Sequence, residues 1–405
     1  MNRMTLEWVR GRLDGGGSVR DLMEEVWRRI GEWDDPALFL HLPDKAELLG
    51  LAEKVEAMDR SLPLWGVPFV VKDNIDVAGW PTTAGCPEYA YVPVEDAEIV
   101  RRLRAAGAIP VGKANLDQFA TGLVGTRSPH GVPRNAVAPG WLPGGSSSGS
   151  ASAVAAGLCA FSLGMDTAGS GRVPAAFQEL VGWKPSRGLV STRGVVPACR
   201  SLDCVSIFAL SVDDAEAALD IIAGFDPDDP FSRDLPLAAP RDVATVAVPR
   251  EADLDFFGDE LAADAFATSL GMVRDLGLQV VEVDISAMLD AAKLLYDGPW
   301  VAERYAAVGA FIEGHRDAAH PVTAEIVLGG RDGEAPRGRR GDHQQRGDQE
   351  DADDLHGDGD DRGHEHHEDK ARPLRMQRLG GGQFVADRAG QQRPPDDGQD
   401  RQHHG

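Results

Sequence analysis

Short apolar runs of strand length alternate with amphipathic helical segments along the first 330 residues, and this alternation limits the fold more than any other feature. Apolar residues recur at helical spacing from Leu6 to Ile30, and GVPFVVKDNIDV (66–77) has the pattern of a buried strand that opens into a polar loop. The alternation repeats at 96–114, 150–167 and 213–283. It is typical of an α/β domain with a buried, parallel or mixed sheet. We predict one such domain over residues 1–330, in which Asp96 caps the helix before Gly107.

The alternation stops after Gly330. From Arg331 onward the chain is rich in Arg, Gly, Asp, His and Gln, with too few large apolar residues to offset the entropy of ordering it. We predict a low-complexity, disordered tail over residues 331–405, of the kind that translation of a GC-rich gene in a shifted frame produces. The tract HEHHEDK (364–370) could alternatively bind metal, but its spacing fits no rigid ligand frame.

The charge balance indicates a small-molecule partner. With 41 basic and 65 acidic residues the net charge is -24, so nucleic acid and anionic membranes would be repelled. No apolar run reaches the roughly eighteen residues of a membrane span, and the N-terminus lacks a signal-peptide pattern, so we expect a cytoplasmic protein. Four scattered cysteines without a CxxC pair indicate neither a disulfide scaffold nor zinc. No metal or cofactor is expected.

The run PGGSSSGSASA (143–153) could be a flexible linker or a site of chemistry. Gly/Ser linkers have polar flanks, whereas this run lies between an apolar loop and a helical segment of small residues. Gly145–Gly149 fits the G-x-S-x-G pattern of serine hydrolases, but a proline-interrupted loop stands where that motif needs a strand. A phosphate loop is disfavoured because no Gly-Lys-Ser/Thr follows.

A third arrangement uses a lysine as the base. A serine hydroxyl can be activated by a lysine whose pKa is lowered by burial, with a second serine relaying the proton. Lys72 follows the apolar run GVPFVV, while Ser146 and Ser170 lie among glycines that let backbone amides approach. Consecutive N–H groups from Thr167 to Ser170 could form an oxyanion hole.

Three segments in this order resemble the amidase signature family: GVPFVVKDNIDVAGWPTTAG (66–85), LPGGSSSGSASAVAAGL (142–158) and GMDTAGSGRVPAAFQELVGWKPSRG (164–188). The resemblance implies the amidase signature fold, in which helices sandwich a large mixed β-sheet, and a Ser-cisSer-Lys triad. Lys72 then matches the lysine, Ser146 the cis-serine and Ser170 the nucleophile. It also implies an acyl-enzyme mechanism in which Thr167, Ala168, Gly169 and Ser170 hold the oxyanion through their N–H groups.

Within that family, three further segments are similar to the allophanate hydrolases: 114–135, 191–210 and LLYDGPWVAERYAAV (294–308). Tyr296 and Arg304 match the pair that contacts the substrate's carboxylate and carbonyl groups. This implies hydrolysis of allophanate to ammonia and carbon dioxide in urea degradation, and a planar guanidinium suits such a carboxylate. The alternative within the family is another amidase, acting on malonamate or a general amide. Arg172 as a brace of the nucleophile loop and Arg127 at the pocket border are further hypotheses.

The resemblance ends before the family's catalytic domain normally does. We therefore predict a domain incomplete at its C-terminus, with exposed apolar faces and sheet edges, and a chain that is poorly soluble or weakly active. A noncatalytic remnant or binding subunit is the alternative from a different class. Because members of the family are often dimers, a homodimer is a candidate assembly.

Overall fold

The computed structural model describes residues 3–235 and 243–331, together with the backbone of two strands at 375–379 and 383–387. The chain divides into two units, residues 1–355 and 356–405, and each is described by itself.

Six strands of the first unit form a mixed sheet in the order β1-β3-β2-β4-β6-β5. The pairs β2/β3 and β2/β4 are parallel, and the other three pairs are antiparallel. The strands are β1 (Phe39–His41), β2 (Pro68–Lys72), β3 (Ile109–Ala114), β4 (Phe161–Asp166), β5 (Val181–Trp183) and β6 (Cys204–Ala209). Every residue of β2, β3, β4 and β6 is buried, so both faces of the sheet are covered, which explains the continuous apolar runs in the sequence.

Helices surround this sheet, as predicted. They are α1 (Leu6–Asp14), α2 (Val19–Trp33), α3 (Lys45–Glu56), α4 (Glu98–Ala105), α5 (Ser148–Ala155), α6 (Arg172–Phe177) and α7 (Val212–Ile222). Helices α3, α4, α5 and α7 pack on the strands. The predicted helical spacing in the first thirty residues is confirmed by α1 and α2, and Ser18 begins α2 with a reciprocal capping box to Asp21.

The predicted cap of α4 is wrong. The N-cap residue is Ala97, and no side chain caps the helix. The Asp96 carboxylate instead accepts hydrogen bonds from the Ala78 N–H at 2.8 Å and from Arg104 Nη1 at 3.1 Å. A charged partner on the helix and an N–H from a distant loop therefore compete successfully with the cap. The helix does end at Gly107, whose φ of 90° lies in the left-handed region.

The main core surrounds β2 and β4. Phe69 and Phe161 stack on these neighbouring strands with ring centroids 5.5 Å apart, and both side chains are fully buried. Burial of an aromatic side chain of this size stabilises the fold by roughly 1.5–3 kcal/mol. Because the two rings lie on adjacent central strands, they hold the ends of β2 and β4 side by side.

A βαβ unit follows α7 in the chain. Strands β7 (Thr245–Pro249) and β8 (Gln279–Val283) pair in parallel, joined by α8 (Glu260–Asp275). These elements confirm the pattern predicted for VATVAVP, the helical segment and LQVVEV. Both strands are largely accessible to solvent, and α8 has no buried residue.

Three helices complete the first unit: α9 (Ser286–Asp297), α10 (Trp300–Gly314) and α11 (Pro321–Leu328). A second apolar cluster joins Val308 and Ile312 of α10 and Val327 of α11 to Phe119. This cluster seats α10 and α11 on the loop that follows β3.

The second unit contains β9 (Arg375–Leu379) and β10 (Gln383–Asp387), which pair antiparallel. Both strands lie within the segment for which the sequence predicts a disordered tail. The rest of that prediction beyond Arg331, including the HEHHEDK tract, lies outside the described residues. Among the helices that the structure describes, none combines the length and apolar character needed to cross a membrane.

Candidate active site

Lys72 ends β2 and is completely buried. Its Nζ donates a hydrogen bond to Ser146 Oγ at 2.8 Å. Burial lowers the pKa of Lys72 from 10.5 to about 7, against the opposing attraction of Asp117 and two further carboxylates. A lysine in this environment is substantially neutral near pH 7 and can accept a proton.

Ser146 lies in the loop that leads into α5, and the peptide bond between Gly145 and Ser146 is cis, as the family resemblance implies. A Cβ on Gly145 would lie 2.2 Å from Asp117 Oδ2, and a Cβ on Gly144 would lie 2.7 Å from Pro174 Cα. The two glycines therefore permit close packing against these residues. The linker interpretation is wrong, because this run is buried from Gly144 to Val154.

Ser170 occupies the turn between β4 and α6 and is almost fully buried. Its Oγ donates to the Gly122 carbonyl at 3.4 Å, while its own carbonyl accepts from the Ser147 N–H at 3.4 Å. The structure thus brings Ser170 next to the residue that follows Ser146. Within the described part of the chain the two hydroxyls share no direct hydrogen bond, so Lys72–Ser146 is the formed half of the relay.

The Asp166 carboxylate organises the turn that carries Ser170. It accepts from Arg172 Nε at 2.8 Å and Nη2 at 3.0 Å, and from the Arg172 N–H at 3.2 Å. Burial disfavours its charged form, but Arg172 and backbone N–H groups outweigh that effect and lower the pKa of Asp166. Arg172 therefore has the contacts of a brace of the nucleophile loop.

The predicted oxyanion donors are not equivalent. The Gly169 N–H donates to Asp166 Oδ1 at 2.7 Å, so it is already paired, and this part of the prediction is corrected. The N–H groups of Thr167, Ala168 and Ser170 have no protein acceptor among the residues that the structure describes. They are the donors left for a developing oxyanion.

Tyr296 near the end of α9 and Arg304 on α10 come together as predicted. The Arg304 guanidinium carbon lies 5.6 Å from the centre of the Tyr296 ring. Arg304 is buried, its Nη1 donates to Thr121 Oγ1 at 2.9 Å, and its Nε has no partner among the described residues. Since Gly122 follows Thr121 and holds Ser170 Oγ, Arg304 lies close to the nucleophile turn.

Two buried carboxylates support the site, and neither was predicted. Asp203 accepts from Thr167 Oγ1 at 2.6 Å and from the Ala198 N–H at 2.9 Å. Asp117 accepts from the Arg127 N–H at 2.8 Å. Burial raises the pKa of both Asp117 and Asp203. Their position beside the ends of buried strands is the sequence signal that could have indicated them.

Arg127, the residue predicted at the pocket border, is itself buried. Its Nη1 donates to the Thr121 carbonyl at 3.3 Å. It therefore supports the backbone of the loop between Asp117 and Arg127.

The second fully buried lysine, Lys113 on β3, has a different environment. Its Nζ lies 3.4 Å from Asp73 Oδ1 and donates to Thr82 Oγ1 at 2.9 Å. A carboxylate at this distance balances its charge, whereas the hydrogen-bond partner of Lys72 is a hydroxyl. The pairing distinguishes a structural lysine from one suited to proton transfer.

Comparisons with known proteins agree with this geometry. The model of the Amidase family matches residues 21–330. The urea amidolyase of Saccharomyces cerevisiae is 49% identical over 275 residues, which cover 66% of this chain and 15% of the relative. The glutamyl-tRNA(Gln) amidotransferase of Geobacillus thermodenitrificans has one chain that is 38% identical over 280 residues, covering 66% of this chain and 58% of that protein.

Among solved structures, the allophanate hydrolase of Kluyveromyces lactis superposes with a TM-score of 0.74 at 37% identity, covering 85% of this chain and 57% of that one. The chain thus spans 15% of the urea amidolyase and less than two thirds of the other two relatives. The family match extends over most of the first unit and includes the buried lysine, the glycine-flanked cis peptide and the turn that holds Ser170. The chain belongs to the amidase family.

Proposed function

We propose that the chain is an amidohydrolase that acts on a small, carboxylate-bearing amide, with allophanate as the substrate. The observation that carries this proposal is the 2.8 Å hydrogen bond between Lys72 Nζ and Ser146 Oγ in a fully buried site. The relatives named as urea amidolyase and allophanate hydrolase support this choice of substrate. Residues 1–330 act as the catalytic domain, and residues 331–405 form a separate tail.

The proposed reaction starts with neutral Lys72. It takes a proton from Ser170 through Ser146, and Ser170 Oγ forms a bond to the amide carbon. The oxyanion is held by the N–H groups of Thr167, Ala168 and Ser170, each contributing about 3 kcal/mol. The C–N bond breaks as the leaving nitrogen takes up a proton and departs as ammonia. Water then hydrolyses the Ser170 ester, and loss of carbon dioxide with a second ammonia completes the breakdown of allophanate.

Substrate selection in this proposal depends on Arg304. The net charge of -24 disfavours an anionic substrate, so a local cation is needed. Arg304 is buried beside Tyr296 and its Nε is unpaired among the described residues. A buried guanidinium with a free N–H favours a ligand carboxylate strongly. We further propose a cytoplasmic protein that works without metal or cofactor, for which a homodimer is a candidate assembly.

The test is ammonia release by the purified chain from allophanate and from malonamate. We expect turnover of allophanate that is lost in Ser170→Ala and in Lys72→Ala. Ser269→Ala and Lys293→Ala remove the same groups from exposed helical positions and serve as controls with wild-type rates. Ammonia release that persists in Ser170→Ala contradicts the proposal.

The same assay tests the other candidates. Faster turnover of malonamate than of allophanate favours a different amidase of the family. If the chain releases no ammonia while a frame-corrected version does, the noncatalytic remnant is favoured.

A further inference from the structure

The Arg304 guanidinium is held by one residue of the loop that follows β3. Arg304 Nη1 donates to Thr121 Oγ1 at 2.9 Å, and both side chains are almost fully buried. Within the described residues, no acceptor satisfies Arg304 Nε. The Thr121 hydroxyl therefore fixes one end of the guanidinium and leaves other N–H groups for a ligand.

The Thr121 hydroxyl is itself oriented. It donates to the Phe119 carbonyl at 3.2 Å, which commits its proton and leaves a lone pair for Arg304. Phe119 and Ala120 have φ values of 51° and 53°, a left-handed conformation that is uncommon for residues other than glycine. Gln118 secures this turn by donating from Nε2 to the Ala318 carbonyl at 3.1 Å. Such backbone strain persists only where the surroundings impose it.

The same turn also reaches the nucleophile. Gly122, the residue after Thr121, accepts from Ser170 Oγ at 3.4 Å. Arg127 Nη1 donates to the Thr121 carbonyl at 3.3 Å and supports the backbone between the two contacts. Two consecutive residues thus join the guanidinium to the hydroxyl that attacks the substrate.

We infer that Thr121 is a positioning residue that makes the site selective for amides carrying a carboxylate, by holding Arg304 at a set distance from Ser170. This inference rests on the proposed function, because it assigns Arg304 to the substrate carboxylate. Without the hydroxyl, the buried guanidinium loses its acceptor and turns toward other groups. A neutral amide makes no ion pair with Arg304 and is insensitive to this change.

The experiment compares malonamate with its neutral counterpart malonamide. In Thr121→Val, which keeps the shape of the side chain, we expect KM for malonamate to rise about tenfold, the effect of one charge-assisted hydrogen bond. We expect kcat for malonamate and kcat/KM for malonamide to stay near wild type. Thr121→Ser should restore the malonamate KM. Thr126→Val is the matched control, since the Thr126 hydroxyl has no partner among the described residues.

Equal losses for both substrates in Thr121→Val would show a merely structural role, and an unchanged malonamate KM would overturn the inference. Binding of malonate, measured by calorimetry, separates this result from failure of the proposed function. If the wild-type chain hydrolyses neither amide but binds malonate about ten times more tightly than Thr121→Val does, the inference stands and the proposed catalysis fails. Equal malonate affinity in the two proteins, or no binding to either, overturns the inference.

Discussion

At the scale of the residue, Lys72 and Lys113 show how the same side chain acquires different properties on adjacent strands. Both are fully buried, and burial is the largest influence that lowers the pKa of each. Asp73 lies 3.4 Å from Lys113, whereas Lys72 donates to the Ser146 hydroxyl. The hydroxyl can pass on a proton, so Lys72 is the lysine suited to act as a base.

The pKa of Lys72 predicts the pH dependence of hydrolysis. The lysine loses its proton as the pH rises through about 7, and only the neutral form can accept a proton from serine. We expect kcat/KM for malonamate to increase with pH around this midpoint and to level off above it. Steady-state ammonia release from pH 5.5 to 9 measures the profile.

Lys72→Arg is the control for this profile. Its guanidinium stays protonated across the range, so we expect no measurable turnover at any of these pH values. A wild-type profile without a rising limb near pH 7 would show that Lys72 does not act as the base.

At the scale of the element, the loop before α5 has its shape because glycine leaves room for neighbouring groups. A Cβ on Gly145 would lie 2.2 Å from Asp117 Oδ2 and 2.5 Å from the Gly125 nitrogen. Neither neighbour can move freely, because Asp117 is buried and accepts from the Gly125 N–H at 3.1 Å. The composition of the run therefore serves close packing at the start of a helix.

We expect Gly145→Ala to abolish ammonia release and to lower the free energy of unfolding by about 2 kcal/mol or more, as overpacking of a buried site does. Gly50→Ala is the matched change, since Gly50 lies inside α3 and its added Cβ would meet nothing within 4 Å. That variant should be more stable by about 0.5–1 kcal/mol, because alanine favours the helix interior. Urea unfolding and the ammonia assay measure both effects; wild-type activity in Gly145→Ala would contradict the packing argument.

At the scale of the whole molecule, the main sheet and the βαβ unit differ in how much apolar surface they expose. The central strands of the sheet are buried on both faces, whereas Leu261 and Met272 on α8 are 74% and 62% exposed. Exposed apolar side chains grouped on one element favour association. The low solubility expected from the sequence is a prediction that this surface supports.

Replacing two of these side chains should reduce association without affecting the site. Leu261→Glu near the start of α8 and Met272→Lys near its end suit the helix dipole and leave the net charge unchanged. We expect the double variant to bind less of the dye ANS and to aggregate at a higher temperature in light scattering. Its ammonia release should equal that of the wild-type chain; unchanged dye binding and aggregation would place the associating surface elsewhere.

The sequence by itself determined the elements of the first unit and the candidates for chemistry, because both depend on residues that are close in the chain. Apolar runs predicted β2, β3 and β4, and the order of three motifs indicated Lys72 and the two serines. Only the tertiary structure decided the pairings between distant segments. Lys72 meets Ser146 across 74 positions and Arg304 meets Thr121 across 183, while Asp166 takes up the Gly169 N–H. Hydrogen bonding and burial depend on which segments the fold brings together, and local periodicity carries no record of that.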